Sequence, residues 1–63
     1  MNKIVKKYIR IAFNEHITKA LPRAGAQNIE RIWNASLKQG LRGFSRETLA
    51  RAIEIAARDN NAN

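Results

Sequence analysis

The stretch Ser45-Arg46-Glu47-Thr48-Leu49-Ala50-Arg51-Ala52-Ile53-Glu54-Ile55-Ala56-Ala57-Arg58 decides the fold class. Leu49, Ala52, Ile53 and Ala56 recur at i, i+3, i+4 and i+7 and make one stripe of a helix. Ser45 has the side chain of a good N-cap, and Glu47 in the first turn favours the helix dipole. Glu47 with Arg51 and Glu54 with Arg58 form i, i+4 pairs with the acid N-terminal, the favourable order. Beyond them Asp59 to Asn63 reads as a disordered polar tail, so a single helical domain is predicted over 1–58.

Toward the N-terminus, Gly40-Leu41-Arg42-Gly43-Phe44 is a short link whose glycines permit a tight reversal. Leu41 and Phe44 are expected to turn inward and plug the end of the helix pair. A second helix is predicted from about Ala24 to Gln39, with Ala26, Ile29, Ile32, Trp33 and Leu37 on its apolar face and Gly40 at a left-handed C-cap. Its opposite face carries Gln27, Arg31, Asn34 and Lys38, a ladder of donors of the kind that engage phosphates and base edges. A helix, a glycine turn and a helix also invite a helix-turn-helix reading. The third helix argues against it, because its arginines would meet phosphate already neutralised beside Glu47 and Glu54.

The first helix runs from about Lys3 toward Ala20, with Asn2 as N-cap and Pro22 ending it. Lys3, Lys6, Lys7 and Arg10 share an arc of roughly 100°, opposite Ile4, Val5, Tyr8, Ile9, Ile11 and Ala12. Phe13, Ile17, Ala20 and Leu21 continue the apolar stripe on a rotated face, which points to a break near Asn14. No strand alternation, repeat or linker appears. The expectation is an all-α fold: a small three-helix domain with a basic amphipathic N-terminal helix. Trp33, Phe13 and Phe44 lie in or beside apolar stripes and are expected in the core rather than on a stacking surface.

The net charge is +7 and it is unevenly placed. Residues 1–20 hold five cations against Glu15, residues 21–43 four against Glu30, and residues 44–63 three against Glu47, Glu54 and Asp59. The excess is therefore +4, +3 and zero, all in the first two thirds, and a field of that sign attracts polyanions. Catalytic chemistry is not indicated. There is no cysteine, and His16 is the only histidine, so neither a disulfide nor a metal site is expected. Ser36 and Ser45 lack a base at a recognisable spacing, and Gly25, Gly40 and Gly43 match no phosphate-binding loop. No cofactor is expected and the chain does not read as an enzyme. Charges interrupt every apolar run before the roughly 18 residues of a membrane span, and Lys6, Lys7 and Arg10 break up any signal-peptide block. A cytoplasmic location is the expectation.

Ala20-Leu21-Pro22, then Ala26-Gln27-Asn28-Ile29, then Trp33-Asn34-Ala35-Ser36 resemble the ChaB-like family, described as cation-transport regulators. That family's Leu-Pro, Ala-Gln-x-Ile and aromatic-Asn motifs are matched in order, and its later Ser-Arg-Glu before an alanine-rich helix is echoed by Ser45-Arg46-Glu47. The likeness covers about residues 15–57, with one extra residue after Pro22 and a shorter middle loop, and leaves out the basic first helix. The resemblance implies a three-helix fold with Leu21, Ile29, Trp33, Leu49 and Ile53 in the core and no established catalytic site. Relatives carried by viruses are linked to DNA binding, which is compatible with a phage or mobile-element source.

These readings converge on a small basic regulator that binds nucleic acid, DNA or RNA, mainly through phosphate contacts with weak sequence specificity. Lys3, Lys6, Lys7 and Arg10 would supply most of the electrostatics, and Arg31, Lys38 and Arg42 would extend the surface. The alternative is a protein-interaction module that docks its amphipathic first helix on an acidic partner protein. A peripheral membrane helix is a third reading, weakened by the lack of tryptophan in that helix. The first helix has an apolar arc about 160° wide, so a homodimer through Ile4, Tyr8 and Ile11 is also expected.

Overall fold

The computed structural model describes residues 1–61 and contains α1 (Lys3–Ala20), α2 (Ala26–Lys38), a 3-10 turn (Gly40–Gly43) and α3 (Arg46–Asn61). It is a small all-α domain, with no strand among the described residues. The ends form as the local chemistry dictates. Asn2 Oδ1 accepts the Ile4 N–H at 2.7 Å, satisfying one free donor of the first turn of α1. At the other end Leu21 leaves helical geometry one residue before Pro22, where proline disfavours the α conformation. Ser45 caps α3, its Oγ accepting the Thr48 N–H at 3.2 Å. Gly40 has φ +67°, the left-handed value that ends α2 and that only glycine adopts without strain.

α1 and α3 pack side by side and antiparallel. The Tyr8 hydroxyl donates to Asp59 at 2.9 Å, and seven residues further along α1 Glu15 accepts from Arg51, eight residues earlier in α3. Ala12 and Ala52 are both buried, and their small side chains let the two backbones approach. α2 lies against α1 through longer side chains. Phe13, Trp33 and Phe44 form a ring cluster with centroids 5.3, 5.5 and 6.1 Å apart, at tilted and edge-to-face angles typical of aromatic packing. Ile9 and Ile17 complete the buried core, with Ile29, Ile32, Leu37, Leu49 and Ile55 packed around it. Thr48 is the buried polar side chain, and its Oγ1 accepts from Ser45 Oγ at 2.9 Å.

Several expectations are corrected. α1 is continuous through Asn14, because Ile9, Ala12, Phe13 and Ile17 form one buried stripe wide enough to serve both neighbours. Thr18 also bonds back to the Asn14 carbonyl at 2.7 Å. α2 begins at Ala26 rather than Ala24, since Gly25 is extended (φ −77°, ψ 165°) and its carbonyl accepts the first helical bond, from the Ile29 N–H at 3.1 Å. Phe44 turns inward but Leu41 stays 55% exposed. Ile29, Trp33 and Leu49 belong to the core or its flank, whereas Leu21 is exposed and Ile53 is 71% exposed, outside the core. Asp59–Asn61 are helical rather than a loose tail; residues 62 and 63 lie outside the described residues. Arg51 does not pair with Glu47 but with Glu15 at 2.8 Å and Glu54 at 3.2 Å, and Arg58 forms no ion pair among the described residues.

Candidate functional site

Lys3, Lys6 and Lys7 project from the exposed side of α1, as their spacing requires. Lys7 Nζ lies 5.4 Å from the Tyr8 ring centre, close enough for a weak cation–π attraction that steadies an otherwise free ammonium. Arg31 and Lys38 are exposed on α2, seven residues apart and hence on one face, with Gln27 and Asn34. Arg42 is exposed in the 3-10 turn that follows.

Arg10 behaves differently. Its guanidinium sits over the Trp33 ring, 4.8 Å from the centroid, and is ion-paired with Glu30 of α2. A planar cation with an aromatic face below it and a carboxylate at its edge has better partners than solvent, so it clamps α1 to α2. Arg10 thus supports the candidate surface from beneath and is not one of its free contacts. Periodicity puts it on the cationic arc but cannot show that α2 covers that edge of the arc.

The carboxylates are largely consumed within the domain. Glu15, Glu30 and Glu54 are in ion pairs, and Asp59 accepts from the Tyr8 hydroxyl. Of twelve lysines and arginines only Arg10 and Arg51 are ion-paired among the described residues, which leaves ten without a carboxylate partner there. The hydrogen bond from Arg51 holds the Glu15 carboxyl below the usual carboxylate value of 4.5, and that from Arg10 does the same for Glu30. The hydrogen bond to Asp59 raises the Tyr8 phenol above 10.0.

These shifts fix a pH dependence. Because Glu15 and Glu30 bind protons less readily folded than unfolded, their contribution is complete above pH 4.5. It is lost as pH falls through their lower folded values. Tyr8 has the opposite sense, contributing below pH 10.0 and losing its contribution as pH rises through the raised value. The urea midpoint should therefore fall as pH drops below about 4.5, the decline being smaller in Glu15→Gln/Glu30→Gln. An equal decline in that double variant would show that the two pairs do not carry the effect. All are surface groups, so added salt should shrink it.

Two features are not evident from the sequence. Arg23, Asn28 and Arg31 gather round an open cleft of about 500 Å³ floored by Leu21, Pro22 and Ile32. Pro22 is the signal that could reveal it, since ending α1 there places Arg23 at the elbow beside the first turn of α2. The second is an apolar groove at the opposite end of α1. Of the side chains expected at a dimer contact, Ile4 is 66% exposed, Ile11 is exposed, and Tyr8 is half-buried against α3.

Among the described residues no three His, Asp or Glu side chains gather as a metal cluster, and no helix is long and apolar enough to cross a membrane. No protein-family model matches the chain, and no curated protein or solved structure matches it either.

Proposed function

We propose that the chain is a small, non-enzymatic regulatory protein that binds nucleic acid through its phosphates. The observation that supports this reading most is the sorting of charge: four of the five carboxylates are tied up in contacts between and along helices, while ten cations are left outside any ion pair among the described residues. Such a surface releases counterions from a polyanion when it binds. Lys3, Lys6 and Lys7 provide the principal contacts, with Arg31, Lys38 and Arg42 extending them, and Arg10 positions α1 against α2. On α3, Arg51, in the middle of the helix, is held by Glu15 and Glu54, while Arg46 and Arg58 are exposed about three turns apart, too widely spaced to read adjacent base edges together. That favours phosphate contacts with weak sequence preference. The likeness of residues 15–57 to ChaB-like proteins, with their viral DNA-binding relatives, belongs to the same proposal.

The test is fluorescence anisotropy with labelled duplex and single-stranded probes over a salt series. Lys3→Gln/Lys6→Gln/Lys7→Gln keeps helix propensity nearly unchanged. It should weaken duplex binding for all sequences alike and reduce the slope of log K against log salt by roughly 0.9 for each phosphate no longer neutralised. Arg10→Gln should instead lower thermal stability with little change in that slope. A wild-type protein that binds neither probe at low salt would sink the proposal. A second reading, interaction with a partner protein, is favoured by one specific observation, the uncovered apolar side chains at the N-terminal end of α1.

A further inference from the structure

Ile4 and Val5 of α1, Leu41 of the 3-10 turn, and Leu49 and Ile53 of α3 line an open groove of about 430 Å³, with Tyr8 at its wall. Ile4, Val5, Leu41 and Ile53 are all substantially exposed. Four aliphatic side chains left this open make a patch on the order of 400 Å², within the range of the largest patches on monomeric proteins and often functional. Cations flank it. Lys6 stands at the edge of the cationic arc of α1, one helical turn from Ile9, Arg42 follows Leu41, and Arg46 lies one turn before Leu49. All three are exposed and none is ion-paired among the described residues. The carboxylates next in sequence to the lining residues, Glu54 and Asp59, are engaged by Arg51 and by the Tyr8 hydroxyl.

We propose that this groove receives an acidic amphipathic helix of a partner protein. Apolar residues at i, i+3, i+4 and i+7 of the partner enter between α1 and α3, and its glutamates or aspartates meet Lys6, Arg42 and Arg46. Charge selects this occupant over a second copy of the chain, because two copies each at +7 would bring their cations together at the rim. Area points the same way. A patch of that size is about half of the ~800 Å² per partner that a standard interface buries, so it suits a transient, electrostatically assisted complex rather than a stable dimer. The groove lining contains none of the proposed phosphate contacts, but Lys6 and Arg42 at its rim serve both proposals, so the variant that separates the two alters the lining and leaves these cations in place.

The probe is a synthetic peptide of about 15 residues, long enough for four turns of helix, with leucines at i, i+3, i+4, i+7 and i+11 and glutamates on the outer positions. A lysine version and a scrambled version of the same Leu/Glu composition serve as comparisons. Titration into isotope-labelled protein should shift the amide signals of Val5, Leu41 and Ile53. Leu41→Gln/Ile53→Gln, which alters exposed positions and no charge, should weaken binding by about tenfold or more, the usual cost of removing interface anchors. Its helicity and duplex binding should not change, which separates failure of this proposal from failure of the nucleic-acid reading. Equal binding of the scrambled or lysine peptide, or no shift with the glutamate peptide at about 1 mM, overturns it. So does a wild-type dimer in sedimentation that the double variant converts to monomer, which would assign the groove to a second copy.

Discussion

Trp33→Ala should unfold most of the protein. The indole lies between Phe13 of α1 and Phe44 at the entry to α3, and Arg10 covers its remaining face. It is the only large side chain of α2 in the buried core, so removing it leaves α2 held by the half-buried Ile29, Ile32 and Leu37 and by the Arg10–Glu30 pair. Large-to-small changes of buried aromatics cost about 3–5 kcal/mol. A domain of 63 residues has a total stability of about 3–9 kcal/mol at the usual per-residue value. The loss is comparable to the whole. Circular dichroism should show reduced helicity at room temperature and a shallow melt, whereas Trp33→Phe, which keeps a ring, should still melt cooperatively. A wild-type-like melt for Trp33→Ala would mean that the ring cluster does not hold the domain together.

Gly43→Ala is expected to be the next most damaging single change, although it adds one methyl group. A Cβ at Gly43 would stand 1.9 Å from the Ser36 carbonyl oxygen, 2.7 Å from its carbon and 2.9 Å from the Ser36 Cα. These are backbone atoms inside α2, and the same carbonyl accepts the Gln39 N–H at 3.0 Å, so no side-chain rotation can relieve the overlap. The 3-10 turn would have to move away from α2, taking Phe44 out of the ring cluster. Overpacking costs about 1–3 kcal/mol, and a backbone clash belongs at the upper end. At about 4–8 °C per kcal/mol for a domain of this size, the melting temperature should drop by about 12–24 °C. Gly25→Ser is the matched control. A Cβ there meets nothing within 4 Å, and a serine at this N-cap should change stability by no more than about 0.5 kcal/mol. Similar melts for the two variants would show that the close approach at Gly43 is not a constraint.

Three helices, the caps at Asn2 and Ser45, the left-handed Gly40 and the aromatic core were all legible in the sequence. Each rests on signals confined to a few neighbouring residues: a side chain that reaches its own helix end, a glycine that permits one backbone conformation, an apolar stripe at helical spacing. The partners across helices were not legible in the same way. Arg10 and Arg51 look alike in sequence, each an arginine on an amphipathic helix. Only the crossing of α2 over α1 gives Arg10 the Trp33 face and Glu30, and only the antiparallel contact of α1 with α3 gives Arg51 to Glu15 in place of Glu47.

The sequence by itself determined an all-α domain with an excess of cations in its first two thirds. Which of those cations are free, and which apolar residues are uncovered, was decided by tertiary structure. Periodicity puts Ile53 and Ile4 on apolar stripes, and Leu41 in the link is apolar too, but the sequence does not show how much partner surface exists to cover them. α2 has 13 residues against 18 in α1 and 16 in α3, so at about 1.5 Å per residue it is too short to roof the whole α1–α3 seam. The uncovered end is where Ile4, Val5, Leu41 and Ile53 meet solvent. Helix length is written in the chain, but the alignment that leaves this end open exists only once the three helices have packed.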